Sequence, residues 1–241
     1  MTTDPQSSIN DLPEEVQTHA AAYDDPIYQK ALDHVWIHTV NYVELAEKRG
    51  LVVFDRGEGS TLYDTKGNAW IDALAGLWVV NAGHGRAEIA DAMAAQARKL
   101  GYVSSASYTS VPAVQLAETL ASITPGDLSR VFFSSGGSEA VETALKIAKQ
   151  VQALRGFPKR YKVIARRGSY HGMTFGAMSL TTGNRTLQER FFGPLMDGVY
   201  HVPSPNRYRN DFGIEGEEGD VMCAKLVEQE ILFQGPETVA A

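Results

Sequence analysis

Two adjacent glycines, Gly136 and Gly137, sit between an apolar run, Val131-Phe132-Phe133, and a segment whose apolar residues Val141, Ala144, Leu145 and Ala148 recur at helical spacing. That junction constrains the fold more than any other stretch, because it predicts a buried strand turning sharply into a helix over Ser138 to Leu154. Glycines let backbone N–H groups approach a ligand closely, Ser138 adds a hydroxyl, and the positive end of the helix dipole favours an anion. Two readings of the turn stand level on these residues alone: a phosphate cradle, and a tight turn capped by a serine.

Downstream the alternation repeats. Lys162 to Ala165 reads as a strand, Val199 to Val202 as another after a looser stretch, and a helix around Met222 to Leu232 follows. Strands alternating with helices of this length imply an α/β fold, a mostly parallel sheet covered by helices. Leu232-Phe233-Gln234-Gly235-Pro236 spells the recognition site of a viral protease, but it also spells a helix end with a glycine cap and a proline stop. The second reading is favoured because Glu237 to Ala241 continues as protein. Thr238 to Ala241 looks like the first half of one more strand, with no turn or polar finish after it, and the domain is read as truncated.

The first part of the chain has a different grammar. Residues 1 to about 23 are polar and Ala-rich without a period, as in a frayed terminus or an arm. Asp25 and Pro26 open an N-terminal helix predicted to run through Trp36 towards Lys48, with Gly50 as its stop. Leu51 to Phe54, Thr61 to Tyr63 and Ala69 to Asp72, separated by glycine-containing turns, predict a small antiparallel meander. After the apolar run Leu74 to Val80 and the turn Asn81-Ala82-Gly83-His84-Gly85, one helix is expected to bury Ile89, Met93, Ala97 and Leu100. A second, capped by Ser110 with Pro112 in its first turn, is expected to bury Leu116, Leu120 and Ile123. The boundary is therefore placed so that 1–72 holds arm, helix and meander, and 73–241 a larger α/β domain.

Composition removes several function classes. A 44% hydrophobic content over 241 residues supplies a packed core. The net charge of −7, with no run of Lys and Arg interleaved with aromatics, argues against a nucleic-acid partner. The single cysteine, Cys223, permits no internal disulfide and has no zinc-spaced neighbour, which fits the cytoplasm. No stretch is apolar enough to span a membrane, and Met1 to Glu15 lacks the basic start and apolar run of a secretory signal. His34 and His38 lie four apart on a predicted helix without a carboxylate motif, so they read as packing or dimer-contact residues and no metal is expected. His84, in a glycine-rich turn, reads as structural.

A second feature shifts the balance at the glycine turn. The next strand leads into Gly168-Ser169-Tyr170-His171-Gly172, an aromatic ring and an imidazole at a strand's carboxyl end. In open α/β sheets ligands bind at that edge, where an aromatic can stack on a planar cofactor whose phosphate sits on the preceding helix. Taken singly, Tyr170 reads equally well as a residue closing the sheet edge, and His171 as a loop histidine bonded to backbone.

Four stretches then resemble, in order, the landmarks of class III aminotransferases, the ω-transaminase branch especially. They are Arg56-Gly57-Glu58-Gly59, the run Gly76 to Arg86, the run Gly136 to Lys146, and Tyr170-His171-Gly172, and the resemblance spans residues 30–241. It implies the type I fold of pyridoxal-phosphate-dependent transferases, in incomplete form, with pyridoxal 5′-phosphate as cofactor. It implies that Gly137 and Ser138 hold the cofactor phosphate, with Gly136 and His171 beside them, and that Tyr170 stacks on the pyridine ring and faces the substrate. Trp78 lines the substrate pocket on the same resemblance. The family often has Asn or Thr and then Ser where this chain has Ser135 and Gly136, so position 136 offers no side-chain hydroxyl here.

The resemblance implies a transaminase moving an amino group from an amine or ω-amino acid to a keto acid such as pyruvate, working as a homodimer. It also places the Schiff-base lysine, and the aspartate that keeps the pyridine nitrogen protonated, beyond Ala241. No catalytic residue is therefore assigned within this chain: Lys146, Lys149, Lys159, Lys162 and Lys225 are not convincing substitutes. The chain alone is expected to be poorly stable, to hold the cofactor weakly and not to transaminate. The competing reading is a non-catalytic phosphate-binding relative or assembly partner. A nucleotide-binding domain is disfavoured, since neither a Gly-x-x-x-x-Gly-Lys-Ser/Thr loop nor a Gly-x-Gly-x-x-Gly after a strand is present.

Overall fold

The computed structural model describes residues 25–38, 40–47, 50–183, 190–206, 208–209, 212–214 and 216–241. The arm expected before residue 24, and the helix end expected at Lys48, lie outside them. The chain divides into two compact units, Met1–Ser110 and Val111–Ala241.

The first unit opens with α1, Pro26–His34, whose N-cap Asp25 accepts from the Ile27 N–H at 3.0 Å while Pro26 takes the first turn. The single helix expected here is two. Val35 is extended and ends α1, and Asn41 then caps α2, Tyr42–Glu47, by accepting from Val43 and Glu44 N–H groups at 3.1 and 3.3 Å. A capping side chain in mid-pattern overrides the period around it. Tyr28 is the most deeply buried large side chain on these helices.

The meander forms, but its first strand lies at Phe54–Glu58, over the stretch expected to turn, and not at Leu51–Phe54. Strands β1 (Phe54–Glu58), β2 (Thr61–Asp64) and β3 (Ala69–Ile71) pair antiparallel in sequence order, with Arg56 opposite Tyr63 and Leu62 opposite Trp70. The Arg56 guanidinium lies 3.5 Å over the Tyr63 ring, and Phe54 meets Trp70 edge-on. The turn between β2 and β3 is organised by Asp64, which is only 5% exposed. Its carboxylate accepts from the N–H groups of Lys66 and Asn68, the Asn68 amide and the Trp70 indole. Burial pushes the Asp64 carboxyl up, but those four donors, Asn68 foremost, outweigh it and hold it below its ordinary value.

Helix α3, Ala87–Lys99, closes the first unit and α4, Val111–Ile123, opens the second. Both form where the apolar spacing predicts, but their apolar stripes are not buried: Met93, Leu116 and Ile123 are exposed, and Ile89 and Leu100 also face outward. Periodicity identifies the helix and the face, not whether anything covers it.

In the second unit α5, Gly137–Leu154, packs Leu145 and Val141 on β4, Val163–Arg166, in a core shared with Ala165, Leu180, Met196 and Val199. Strand β5, Val199–Val202, pairs parallel with β4, Val163 opposite Val199 and Arg166 opposite Val202. Between them runs α6, Phe175–Leu180, buried from Gly176 to Leu180. Helix α7, Gly216–Gln234, ends on Gly235 at a φ of +85°, so the glycine-cap reading of that segment stands. Thr238–Ala241 then pairs on the other side of β4: Lys162 bridges Val239 in parallel, and Ala240 N–H donates to Lys162 C=O at 2.8 Å. Of the strand expected there, a single parallel bridge with its flanking hydrogen bonds forms. The strand expected at Val131–Phe133 does not form, and Phe132 is 69% exposed. A central strand is made by its ladder partners, and among the described residues none pairs with this run.

Candidate functional site

Helix α5 begins at the glycine pair. Gly136 is the N-cap, with an extended backbone and no capping side chain, and a Cβ at Gly136 or Gly137 would meet nothing within 4 Å. The opening turn of an 18-residue helix thus faces open space with its dipole uncapped. Glu139 turns back instead, accepting from the Ser135 N–H at 2.8 Å and from the Ser135 hydroxyl, and these two bonds hold its carboxyl below the ordinary range. It secures the loop before the helix and leaves the space over Gly136 and Gly137 clear.

Ser138 faces the second expected feature. Its Oγ accepts from the Met173 N–H at 3.0 Å, joining α5 to the loop that follows β4. A hydroxyl that accepts one bond keeps its own proton, so Ser138 can still donate to an anion. Gly172 permits this approach: at a φ of +133°, a Cβ there would lie 2.8 Å from the Ser138 Cβ and 2.9 Å from the Ala177 Cβ. The Tyr170 side chain is 68% exposed, two residues before that contact. His171 is half-buried, and its N–H donates to the Thr181 hydroxyl at 2.9 Å, while Thr181 donates to Gly172 C=O at 3.2 Å. The structure therefore brings Gly136, Gly137 and Ser138 to the loop bearing Tyr170 and His171. A pyridoxal phosphate fits these residues: an uncapped helix end with room for an anion, a hydroxyl with a proton to give, and an exposed aromatic on the adjoining loop.

Sequence reasoning missed Glu142. Its Oε1 accepts from the Thr174 hydroxyl at 2.7 Å, from Gly176 N–H at 2.8 Å and from Ala177 N–H at 3.2 Å, capping α6 from α5. Thr174 leads in holding this carboxyl below its ordinary value; partial burial opposes, and Ala177, Gly176 and Lys146 add to the lowering. The only signal in the sequence is position, one turn after Ser138 on the same helix face.

Trp78 belongs to the other unit. It ends a turn, Ala75–Trp78, in which four successive residues have positive φ, namely Ala75 at 47°, Gly76 at 59°, Leu77 at 64° and Trp78 at 65°. The turn hangs from Asp72, whose Oδ2 accepts from Gly76 N–H at 2.7 Å and sits 2.8 Å from His84 Nε2. The His84 bond, with Gly76 N–H assisting, holds the Asp72 carboxyl below its ordinary value. His84 is in turn fixed to Gly59, the residue after β1, by paired backbone bonds at 2.8 and 3.0 Å. Gly57 leaves room for it, since a Cβ there would lie 2.8 Å from the His84 Cβ. The imidazole is a structural strut, and the Trp78 indole is 70% exposed.

Of the lysines weighed for chemistry, Lys162 is occupied: its Nζ donates to Gln234 C=O at 2.7 Å and lies 5.6 Å from the Tyr200 ring centre. Among the described residues, no group of three or more His, Cys, Asp or Glu side chains is placed to hold a metal, and no helix is long and apolar enough to cross a membrane.

The family model for aminotransferase class III matches residues 42–241. A protein of Mycobacterium tuberculosis named as a probable aminotransferase is 44% identical over 208 residues, 86% of this chain and 44% of the relative. The putrescine–pyruvate aminotransferase of Pseudomonas aeruginosa is 36% identical over 87% of this chain and 45% of its own length. Among solved structures, the ω-transaminase of Pseudomonas jessenii in complex with PMP superposes with a TM-score of 0.83 at 34% identity, over 90% of this chain and 48% of that one. The chain spans about half the length of the relatives it matches.

Proposed function

The chain belongs to the class III aminotransferases, a pyridoxal-phosphate-dependent family of type I fold, and on that premise we propose that it serves a transaminase moving an amino group from an amine or ω-amino acid to a keto acid such as pyruvate. The observation that carries the reading is the meeting of the glycine turn with the Tyr170 loop through Ser138. Pyridoxal phosphate, when bound, supplies the electron sink for breaking and remaking bonds at the amine carbon. The chain's own residues hold and orient it. The N–H groups at the start of α5 and the Ser138 hydroxyl bind the phosphate, with Gly136 leaving the helix end open and Glu139 turned aside. Tyr170 covers one face of the ring and shields it from water on that side, and His171, its backbone pinned to Thr181, stands beside it.

Trp78 is assigned to the substrate pocket, and the division at residues 72 and 73 to the limit between a smaller domain and the cofactor-binding one. The lysine that holds the cofactor covalently is not among those of residues 1–241, and the working form is a homodimer. The amine specificity stays at the level of class; a putrescine–pyruvate enzyme among the relatives makes a diamine a sensible first donor.

Titration of the chain with pyridoxal phosphate, followed by its absorbance and competed with inorganic phosphate, tests the site. Ser138→Ala is expected to weaken binding about tenfold, the loss of one hydrogen bond to a charged group. Binding that is unchanged in the variant, or indifferent to phosphate, sinks the assignment. Borohydride reduction then tests the lysine: no pyridoxyl-lysine adduct forms on this chain, and an adduct accompanied by alanine formation from pyruvate and an amine overturns that part.

A further inference from the structure

Ser138 and Glu142 are successive rungs on one face of α5, about 6 Å apart along its axis at 1.5 Å per residue. The first receives the Met173 N–H, and the second receives Thr174, Gly176 and Ala177. A loop tied at one point pivots about it, whereas a loop tied at two points on a rigid helix does not. Glycines at both crossings allow the closeness: a Cβ on Gly172 would strike Ser138, and one on Gly176 would lie 2.7 Å from the Glu142 carboxyl carbon. From the inside, Thr181 fixes the same loop at His171 and Gly172.

We propose that Glu142 is a positioning residue that makes the phosphate turn and the Tyr170 loop a single body, so that an anion seated on α5 sets the position of the Tyr170 ring. This rests on the phosphate-seat reading above and goes beyond it, because the groups that Glu142 holds are those of Thr174, Gly176 and Ala177. The carboxylate suits the task better than an amide, since a charged acceptor makes bonds roughly twice as strong as a neutral one. Its lowered carboxyl pKa is the expected mark of an acceptor stabilised by fixed donors.

Hydrogen–deuterium exchange read by mass spectrometry on the full chain, with inorganic phosphate as the probe, tests the coupling. In the parent, phosphate is expected to protect residues 137–139 and, with them, 169–177. Glu142→Ala keeps the protection at 137–139 but loses it at 169–177, where exchange without phosphate runs about tenfold faster, as for a segment freed to open locally. Glu142→Gln, which retains an acceptor oxygen, restores part of the coupling. If Glu142→Ala transmits protection to 169–177 as the parent does, the inference is overturned. Should the alanine variant exchange faster throughout β4 and β5, it has unfolded, and the glutamine variant decides: parental exchange and full transmission there overturn the role of the charge. A parent in which phosphate protects nothing at 137–139 defeats the phosphate seat instead, and the phosphate-free exchange rates at 169–177 still judge Glu142.

Discussion

Two carboxylates organise two loops in this molecule, and they do so over different distances along the chain. Asp64 gathers donors from Lys66, Asn68 and Trp70, all within six residues, and is almost wholly buried. Glu142 gathers donors from Thr174, Gly176 and Ala177, 32 to 35 residues away, at a half-exposed edge. The same chemistry, a carboxylate accepting from backbone, therefore makes a self-contained turn in one unit and a cross-link between elements in the other. A local network stabilises its own unit, and a long-range one transmits position.

The largest expected effect breaks the local network. Asp64→Ala orphans donors beneath the meander at about 1–3 kcal/mol for a buried group, and about 3 kcal/mol is expected where several are lost together. All three tryptophans, at 36, 70 and 78, lie in the first unit, so urea unfolding followed by indole fluorescence reads that unit alone. A midpoint unmoved by the substitution would make the turn ornamental.

Next comes Gly172→Ala, which places a Cβ against Ser138 and Ala177 at a left-handed φ. Overpacking of this kind costs about 1–3 kcal/mol. This cost is expected to appear in hydrogen exchange of 169–177 and in phosphate binding, with the indole transition unmoved. A shift in that transition would join what the comparison separates. Gly57→Ala is its mirror image, with a Cβ 2.8 Å from the His84 Cβ on unstrained backbone, and its expected cost of about 1 kcal/mol falls on the indole transition.

The smallest effect is that of pH. The folded Asp64 carboxyl titrates below its ordinary value of 3.8, so the stability it contributes is fully present above that value and is lost as pH falls through the folded value. The indole-reported midpoint of the parent is expected to drop in that acid window. Asp64→Asn should lose that part of the drop, and a variant that loses none of it would assign the acid sensitivity elsewhere.

The same contrast explains what could be read in the sequence. Strands β2 and β5, helix α5 and the Thr65-Lys66-Gly67-Asn68 turn were legible because their determinants are neighbours in the chain. The glycine turn and Tyr170-His171-Gly172 could be found as two pieces, and Ser138 could be suspected of facing the loop. Glu142 stayed hidden because nothing near it in sequence explains it. Val131–Phe133 misled for the converse reason: its apolar residues suit a strand, but ladder partners are a property of the fold. The exposed stripes of α3 and α4 belong to the same class, since a helical period says which residues share a face and not what lies opposite.

The backward-wound turn at Ala75–Trp78 has a consequence for how such a protein changes over time. An L-residue held in the left-handed region costs roughly 1–2 kcal/mol, so Ala75, Leu77 and Trp78 keep their shape only while Asp72 and the β1 edge hold them. The direction in which the indole points is thereby written six residues upstream of it. A lineage can re-aim that ring by altering the aspartate, the histidine or the glycine beneath them, without ever exchanging the tryptophan.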